Sequence, residues 1–294
     1  MSVLINNRVG IVILNYNSHD LTVALAKKTA QMNAVDTVCV VDNCSRDSFD
    51  GEFIDAKIHY IKNTKNAGYA AGNNIGLRYL VDKRQCDVVF ISNPDVYFDE
   101  IAITDMVETL NQNPEIAIIS TKRYGPDNTS MHQYHKFPSF KKSFFNNFFL
   151  LSKLNKYESN EEQLRRVEEA NQYLEVDAVP GAFFGMRSNM LKEIGFLYEG
   201  TFLYCEEIIL ARQAKELGYK AVVINTSSHV HDHHIAHFSN KRMYKQDRES
   251  LLIYYKKFNL LSPIEKFLLK VGIKVGCAEY AIAYSIFNLI NRKK

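Results

Sequence analysis

From Arg8 to Leu14 the chain is almost continuously apolar, and the four residues that follow, Asn15-Tyr16-Asn17-Ser18, are polar. A short apolar run closed by turn-forming residues predicts a buried parallel strand followed by a loop. The unit recurs along the first third. Asp20 to Gln31 has helical spacing, with Leu21, Leu25 and Lys28 on one face; Asp36 to Val41 predicts a second strand, ending at Asp42-Asn43-Cys44-Ser45. Ile58 to Ile61 predicts a third strand, Asn63 to Gly72 a turn-rich loop, and Asn73 to Lys83 a helix. Asp87 to Ile91 predicts a strand that breaks at Ser92-Asn93-Pro94-Asp95. Pro94 has no amide for a ladder and biases Asn93 toward an extended conformation, so the strand ends there. Strands alternating with helices predict an α/β fold with a mostly parallel central sheet flanked by helices and right-handed crossovers. Each polar cluster follows a strand, so the clusters gather at one sheet edge, where open α/β sheets place ligands.

The rhythm continues through a helix at Thr104 to Asn111, closed by Pro114, and a strand at Ile116 to Ser120. It changes after Asn128. His132 to Tyr157 mixes Phe137, Phe140, Phe144, Phe145, Phe148 and Phe149 with lysines, and Glu158 to Glu169 is charged and helical in pattern. Val176 to Val179 resumes the α/β pattern, followed by Pro180-Gly181-Ala182-Phe183-Phe184-Gly185. Glu206 to Leu217 predicts a helix stopped by Gly218 and feeding a strand at Tyr219 to Ile224. Ser239 to Asn259 predicts a helix or a pair of helices, and Pro263 to Lys294 an amphipathic tail. The resulting division is an α/β domain over residues 1–258, with a variable insert at 128–175, and a C-terminal helical extension over 259–294.

Composition narrows the class. The 294 residues are 46% hydrophobic and 23% charged, as in an ordinary soluble enzyme. A net charge of +3 is too small to argue for nucleic acid as a partner. Five scattered cysteines without a C-x-x-C pair indicate neither a disulfide framework nor a zinc ribbon, and fit a reducing compartment. No basic leader precedes an apolar h-region, and no run of about 18 apolar residues occurs. A cytoplasmic protein is expected.

Five constellations carry candidate chemistry. Asp95, at the carboxyl end of a central strand, is suited to holding a divalent cation against a nucleotide diphosphate; Asn-Pro-Asp is equally an ordinary turn. Asp42 can accept hydrogen bonds from a base or ribose, or cap its own turn. Asn66 to Gly76 contains Gly68, Gly72 and Gly76 before a helix, which suits an anion at free amides or simply close packing. Its spacing is neither the dinucleotide fingerprint nor a Walker A loop. Glu206 and Glu207 open a helix, where the dipole favours acidic residues, and one of the two can face a cleft as a general base. His229, His231, His233, His234 and His237 with Asp232 form the densest titratable cluster, but without the register of a metallo-hydrolase. One of them as a metal or phosphate ligand, with the others on a loop surface, is the simpler reading.

The order of these segments resembles glycosyltransferase family 2, inverting enzymes with a GT-A type nucleotide-diphospho-sugar transferase fold, and within it a rhamnosyltransferase-like bacterial branch. The matching residues are Asn15-Tyr16-Asn17, then Val41-Asp42-Asn43-Cys44-Ser45-Arg46-Asp47, then Asn66, Gly68, Gly72, Asn74 and Gly76. Asn93-Pro94-Asp95 stands where the family has D-x-D, Val179 to Ala182 matches a V-x-G-A segment, and Phe202 to Glu207 matches F-x-Y-x-E-D. The likeness covers residues 8–258. It implies donor-nucleotide contacts at Asn15, Tyr16, Asn17, Asp42, Asn66, Gly68, Gly72, Asn74, Asn93, Asp95 and Arg248. It implies Mg²⁺ or Mn²⁺ at Asp95 with His231, acceptor contacts at Gly181, Ala182 and Tyr204, and Glu207 as base beside Glu206. Two positions depart from the pattern: Glu207 replaces Asp, and Ile209 replaces a second acidic residue of E-D-x-D-L versions.

The expectation is therefore transfer of a sugar, rhamnose or another hexose, from a nucleotide diphosphate to a hydroxyl of a growing bacterial surface glycan. The acceptor is a glycan or a lipid-linked glycan, and nucleic acid is not a partner; a homo-oligomer is allowed. The Phe/Lys-rich insert, and Phe267, Leu268, Val271, Val275 and Ala278 beside Lys266, Lys270 and Lys274, suggest peripheral contact with the inner face of the cell membrane. Packing of the tail on the protein itself is the competing reading. An inert nucleotide-sugar-binding homologue, suggested by Ile209, and a metallo-hydrolase built on the histidines are the alternative functions.

Overall fold

The computed structural model describes residues 7–46, 49, 53, 55–148, 152, 155, 157–232 and 241–291, with side chains to residue 285. Asp47, Phe149, Lys153, Lys156, His233, His234, His237 and residues 292–294 lie outside the described residues. The chain forms two compact units. The first comprises Met1–Lys136, Ser159–Phe202 and Glu206–His233, and the second Phe137–Glu158, Leu203–Cys205 and His234–Lys294. The segment 128–175 is thus divided between them.

In chain order the elements are β1 (Val9–Asn15), α1 (His19–Ala30), β2 (Thr37–Asp42), β3 (Ile58–Lys62), α2 (Tyr69–Arg78), β4 (Val88–Ser92), β5 (Val96–Tyr97), α3 (Glu100–Gln112) and β6 (Ile116–Tyr124). They continue with α4 (Phe140–Phe145), α5 (Asn160–Glu168), β7 (Tyr173–Val176), β8 (Phe183–Arg187), α6 (Ser188–Ile194), α7 (Glu206–Glu216), β9 (Lys220–His231), α8 (Lys241–Lys257) and α9 (Pro263–Asn291).

The first unit is built on one sheet of order β3-β2-β1-β4-β8-β6-β9-β5, with β7 also paired to β9. The pairs β1–β2, β1–β4, β2–β3 and β6–β9 are parallel. The apolar runs of β2 and β4 are buried throughout, as strands covered on both faces require. The sheet as a whole is mixed, because β8 runs antiparallel between β4 and β6. Its residues follow Pro180-Gly181 and read locally as part of a loop, yet they form a central strand. Gly185 is required there: a Cβ at that position would stand 2.5 Å from the Phe90 ring on β4.

Two further boundaries differ from the pattern-based expectation. Helix α2 starts at Tyr69, four residues before Asn73, so Gly72, Asn73 and Asn74 belong to its first turns. The glycines let the helix lie against β1: a Cβ on Gly72 would meet Leu14 at 2.7 Å, and one on Gly76 would meet Val12 at 2.7 Å. Strand β9 runs on to His231 instead of stopping at Ile224. Its register against β6 jumps from Thr121↔Ile224 to Lys122↔Ser228, so Asn225-Thr226-Ser227 bulge out. After the bulge the strand resumes with His229 and His231 on its buried side.

In the second unit the phenylalanine-rich segment packs within the protein. A Cβ on Gly272 of α9 would stand 3.4 Å from the Phe144 ring, and one on Gly276 would stand 2.2 Å from the Asn147 carbonyl. Ser143 and Tyr255 share a 2.7 Å hydrogen bond, and Tyr244 stacks on Tyr280 at 4.3 Å between centroids. Residues 241–257 form one helix, not a pair.

Gly76→Ala pushes a methyl into Val12 and Val41 and is expected to lower unfolding free energy by about 1–3 kcal/mol, the usual cost of overpacking a core. Urea denaturation reads it; an unchanged midpoint would show that α2 does not need the glycine to reach the sheet.

Candidate active site

At the carboxyl ends of β1 and β2, Asn15 and Asp42 are wholly buried and bonded inside the protein. Asn15 accepts from the Ser18 amide at 3.0 Å and the Thr22 hydroxyl at 2.9 Å, and donates to Ser45 Oγ at 2.7 Å. Asp42 Oδ1 accepts from the Ser45 amide at 3.0 Å, and Oδ2 accepts from the Tyr60 hydroxyl at 3.3 Å. Of the two readings open to Asp42, the structure shows it capping its own turn. Exposed surface at this edge comes from Tyr16 and Asn17, the latter with φ 57° and its side chain accepting from the Arg46 amide at 3.1 Å.

The Asn66 to Gly76 segment is likewise held from within. Asn66 Oδ1 accepts from Asn43 Nδ2 and from the Gly68 amide, both at 3.0 Å. Gly68 has φ 105°, and a Cβ there would lie 2.4 Å from the Phe202 carbonyl, which accepts the Tyr69 amide at 2.8 Å. Asn74 donates to the Leu197 carbonyl and Glu199 Oε1, both at 2.8 Å, and accepts from the Leu197 amide at 3.0 Å. Gly68, Gly72 and Asn74 therefore act through packing and loop anchoring, and the first helical amide is not free for an anion.

Beyond β4, Asp95 meets β9. His231 Nε2 lies 3.2 Å from Asp95 Oδ1, and the Asp232 amide donates to the Asp95 carbonyl at 2.9 Å. Arg123, facing them from β6, hydrogen-bonds His231 Nδ1. A guanidinium only donates, so Nδ1 is the acceptor of that bond. Burial pulls the Arg123 pKa down and the Asp95 carboxylate pushes it back up. Deeper in, His229 hydrogen-bonds Thr121 at 2.8 Å; burial first, then Arg123 and His231, hold its pKa well below the usual histidine value.

At the start of α7 the adjacent acids separate, as a 100° step demands. Glu206 is buried, whereas Glu207 keeps 14% of its side-chain surface and lies 3.6 Å from His135 Nε2. Gly181 sits beside it: a Cβ there would stand 3.5 Å from Glu207 Oε2. The Gly181 carbonyl accepts the Tyr69 hydroxyl, whose pKa is raised by burial and then by Glu207 and Glu206. The next carbonyl, that of Ala182, accepts the Asn93 amide at 2.8 Å, which ties the Glu207 side of the site to the Asp95 loop. Ile209 is wholly buried, so an apolar residue at that position is a core requirement.

Arg123, Tyr69, His132 and His135 were not legible as site residues. His135 is fixed by backbone hydrogen bonds to Ala178 at 2.8 and 3.2 Å and by His132 Nε2 at 3.2 Å from its Nδ1. Burial first, then His132 and Arg123, lower its pKa to about 3, so the imidazole beside Glu207 is neutral. The available signals were His132-x-x-His135 and a basic pair, Lys122-Arg123, directly after an apolar strand. Arg248 and Tyr204 belong to the second unit.

Among the described residues no group of three or more His, Cys, Asp and Glu could by itself hold a metal ion. That fits a hard cation bound mainly by phosphate oxygens and water, with one or two protein carboxylates, as magnesium is in nucleotide sites. The carboxylate at this edge is that of Asp95, with His231 Nε2 3.2 Å away.

Comparison with known proteins gives this arrangement a context. The family profile described as glycosyl transferase family 2 matches residues 9–195. The low-salt glycan biosynthesis hexosyltransferase Agl10 of Haloferax volcanii is 27% identical over 205 residues, covering 70% of this chain and 61% of that protein. The mannosyltransferase PcManGT from Pyrobaculum calidifontis, solved with GDP-Man and Mn²⁺, superposes with a TM-score of 0.59 at 14% identity, covering 95% of this chain and 75% of that one. GalNAc-T7, solved with UDP, GalNAc and Mn²⁺, also gives 0.59 at 13% identity, over 96% of this chain and 57% of that one. The fold is the GT-A fold.

The neutral state of His135 has a stability consequence. Its folded pKa of about 3 lies below the unfolded value of about 6.5, so between them the unfolded chain binds a proton that the folded chain does not. Stability falls as pH drops through that window, by at most about 1.4 kcal/mol per pH unit. Urea titrations at about pH 7.5 and about pH 5 should show the wild type losing about 1–2 kcal/mol more than His135→Gln. Parallel losses would place the histidine in its charged form.

Proposed function

The chain belongs to glycosyltransferase family 2, and from that premise we propose that it transfers a hexosyl group, rhamnose or another hexose, from a nucleotide diphosphate to an acceptor hydroxyl with inversion. The observation that carries the reading is the connection between the two halves of the site. One short segment, Gly181-Ala182, takes the Asn93 amide on one carbonyl and the Tyr69 hydroxyl on the other, beside Glu207. A carboxylate suited to a cation and a carboxylate suited to a base thus share one scaffold.

In this reading Asp95 holds Mg²⁺ or Mn²⁺, and His231 and Arg123 fix the carboxylate's orientation. The cation, when bound, supplies positive charge to the diphosphate oxygens. Tyr16 and Asn17 offer the exposed edge for the nucleoside. Glu207 takes the proton of the acceptor hydroxyl as its oxygen bonds to the anomeric carbon and the bond from that carbon to the diphosphate breaks. The neutral His135 ring lies beside this carboxylate, with Nε2 at 3.6 Å. Gly181 and Ala182 leave space for the acceptor, since neither projects a bulky side chain.

The acceptor we assign is a growing bacterial surface glycan on a lipid carrier, which puts the enzyme to work at the inner face of the cell membrane. Support comes from the glycan-biosynthesis hexosyltransferase to which the chain is similar. The matched region spans 61% of that relative, so the acceptor is inferred from chemistry and likeness together.

Glu207→Gln is expected to lower kcat by at least about 10²-fold, the lower range for a lost general base, while leaving donor affinity within a few-fold. Unchanged turnover in a donor-saturated assay would remove Glu207 from the base role.

A further inference from the structure

Helix α9 carries two apolar sides, and the protein covers one of them. With each residue advancing about 100°, Leu269, Gly272, Ile273 and Gly276 fall together and are buried. Gly272 lies against Phe144 and Phe148, and Gly276 against Asn147 and Tyr244, of the same unit. Ile264, Phe267, Leu268, Val271, Val275 and Ile282 fall on the far side and are exposed, Ile264 at 72%, Phe267 at 66% and Ile282 at 63%. Isolated exposed apolar residues are ordinary, but an apolar stripe along five turns of one helix marks an interaction surface.

Charge identifies the partner. Lys266, Lys270 and Lys274 form a row at four-residue spacing along one margin of the stripe. None of them, nor Lys256 on α8, has a carboxylate partner among the described residues. Glu265, which could have neutralised the row, instead accepts from the Ser262 amide at 2.9 Å and the Ser262 hydroxyl at 2.8 Å. A cavity of about 300 Å³ opens between α8 and α9, its wall apolar at Leu252, Ile253 and Leu261 and its rim carrying Lys256, Lys266 and Lys270. A second protein copy would cover the apolar stripe yet bring two rows of like charge together. An anionic bilayer satisfies both parts.

We propose that this face of α8 and α9 is a docking surface for an anionic phospholipid bilayer. The stripe enters the acyl boundary, the lysine row meets headgroup phosphates, and the cavity takes an acyl chain whose phosphate lies at the three ammonium groups. Among the described residues no helix is long and apolar enough to cross a membrane, so α9 lies in the plane of the interface. The proposal is independent of the transfer chemistry, because none of these residues has a part in it.

The full chain is floated with vesicles of phosphatidylcholine alone and of phosphatidylcholine mixed with phosphatidylglycerol. The mixed vesicles should capture it and the neutral ones should not. The triple change Lys266→Glu, Lys270→Glu and Lys274→Glu should weaken capture by about 10²-fold or more, at about fivefold per surface lysine. Phe267→Ser should weaken it as well, with thermal midpoints of both variants matching the wild type because every changed side chain is exposed. Equal capture by both vesicle types, no capture by either, or wild-type capture of the triple variant would overturn the proposal. A dimer that Phe267→Ser dissociates, seen by light scattering without vesicle capture, would overturn it too and give the stripe to a second copy.

Discussion

The pairing of β8 with β4 is the constraint on which the site depends. Its register sets Ser92 opposite Phe183, so the residues that follow β4 and those that precede β8 leave the sheet side by side. The Asn93 amide then reaches the Ala182 carbonyl, and Asp95 and Gly181 have little freedom to separate. An antiparallel strand inserted among parallel neighbours does what a crossover helix cannot. It carries the chain from Gly181 and the Glu207 side back across the centre of the sheet without leaving the plane.

The second determinant is the bulge in β9. By pushing out Asn225-Thr226-Ser227, the strand regains a register in which His229 stands opposite Arg123, and His231 opposite Val96 of β5, beside Asp95. Buried histidines beside a buried arginine are costly unless the imidazoles stay neutral and accept hydrogen bonds. His229, bonded by Thr121 and with its pKa held well below the usual value, meets that condition, and Arg123 donates to His231. The result is an Asp95 held against β9, with its carbonyl accepting the Asp232 amide and its carboxylate 3.2 Å from His231 Nε2.

Sequence patterning located the elements whose signal is local. The apolar runs of β1, β2 and β4 are buried on both faces and need no partner information to be recognised. β8 was hidden because Pro180 and Gly181 announce a turn, while the two phenylalanines and Gly185 make sense only against Phe90 across the sheet. The early start of α2 was hidden for a related reason: Gly72 and Gly76 weaken helix propensity, and their value lies in contact with Leu14 and Val12. The motif residues that matched a known family divided in the same way. Asn15, Asp42, Gly68 and Asn74 are bonded or packed within their loops, whereas Asp95 and Glu207 carry the chemistry in the proposed mechanism. A motif cannot separate those two roles, since both constrain residue type at a position. The partners of Tyr69, Arg123 and His135 are distant in sequence, so the short local signals at these positions do not show which residues they meet.

In the proposed mechanism Asp95 is the point where a cation joins a nucleotide diphosphate to the sheet edge. Calorimetric titration of UDP, dTDP and GDP into the wild type and Asp95→Asn, each with and without Mn²⁺, tests this most directly. The expected result is binding of one of the three nucleotides that strengthens at least about tenfold with Mn²⁺, an increment lost in the variant. Binding indifferent to Mn²⁺ and to the substitution would contradict it, and so would the absence of binding by all three.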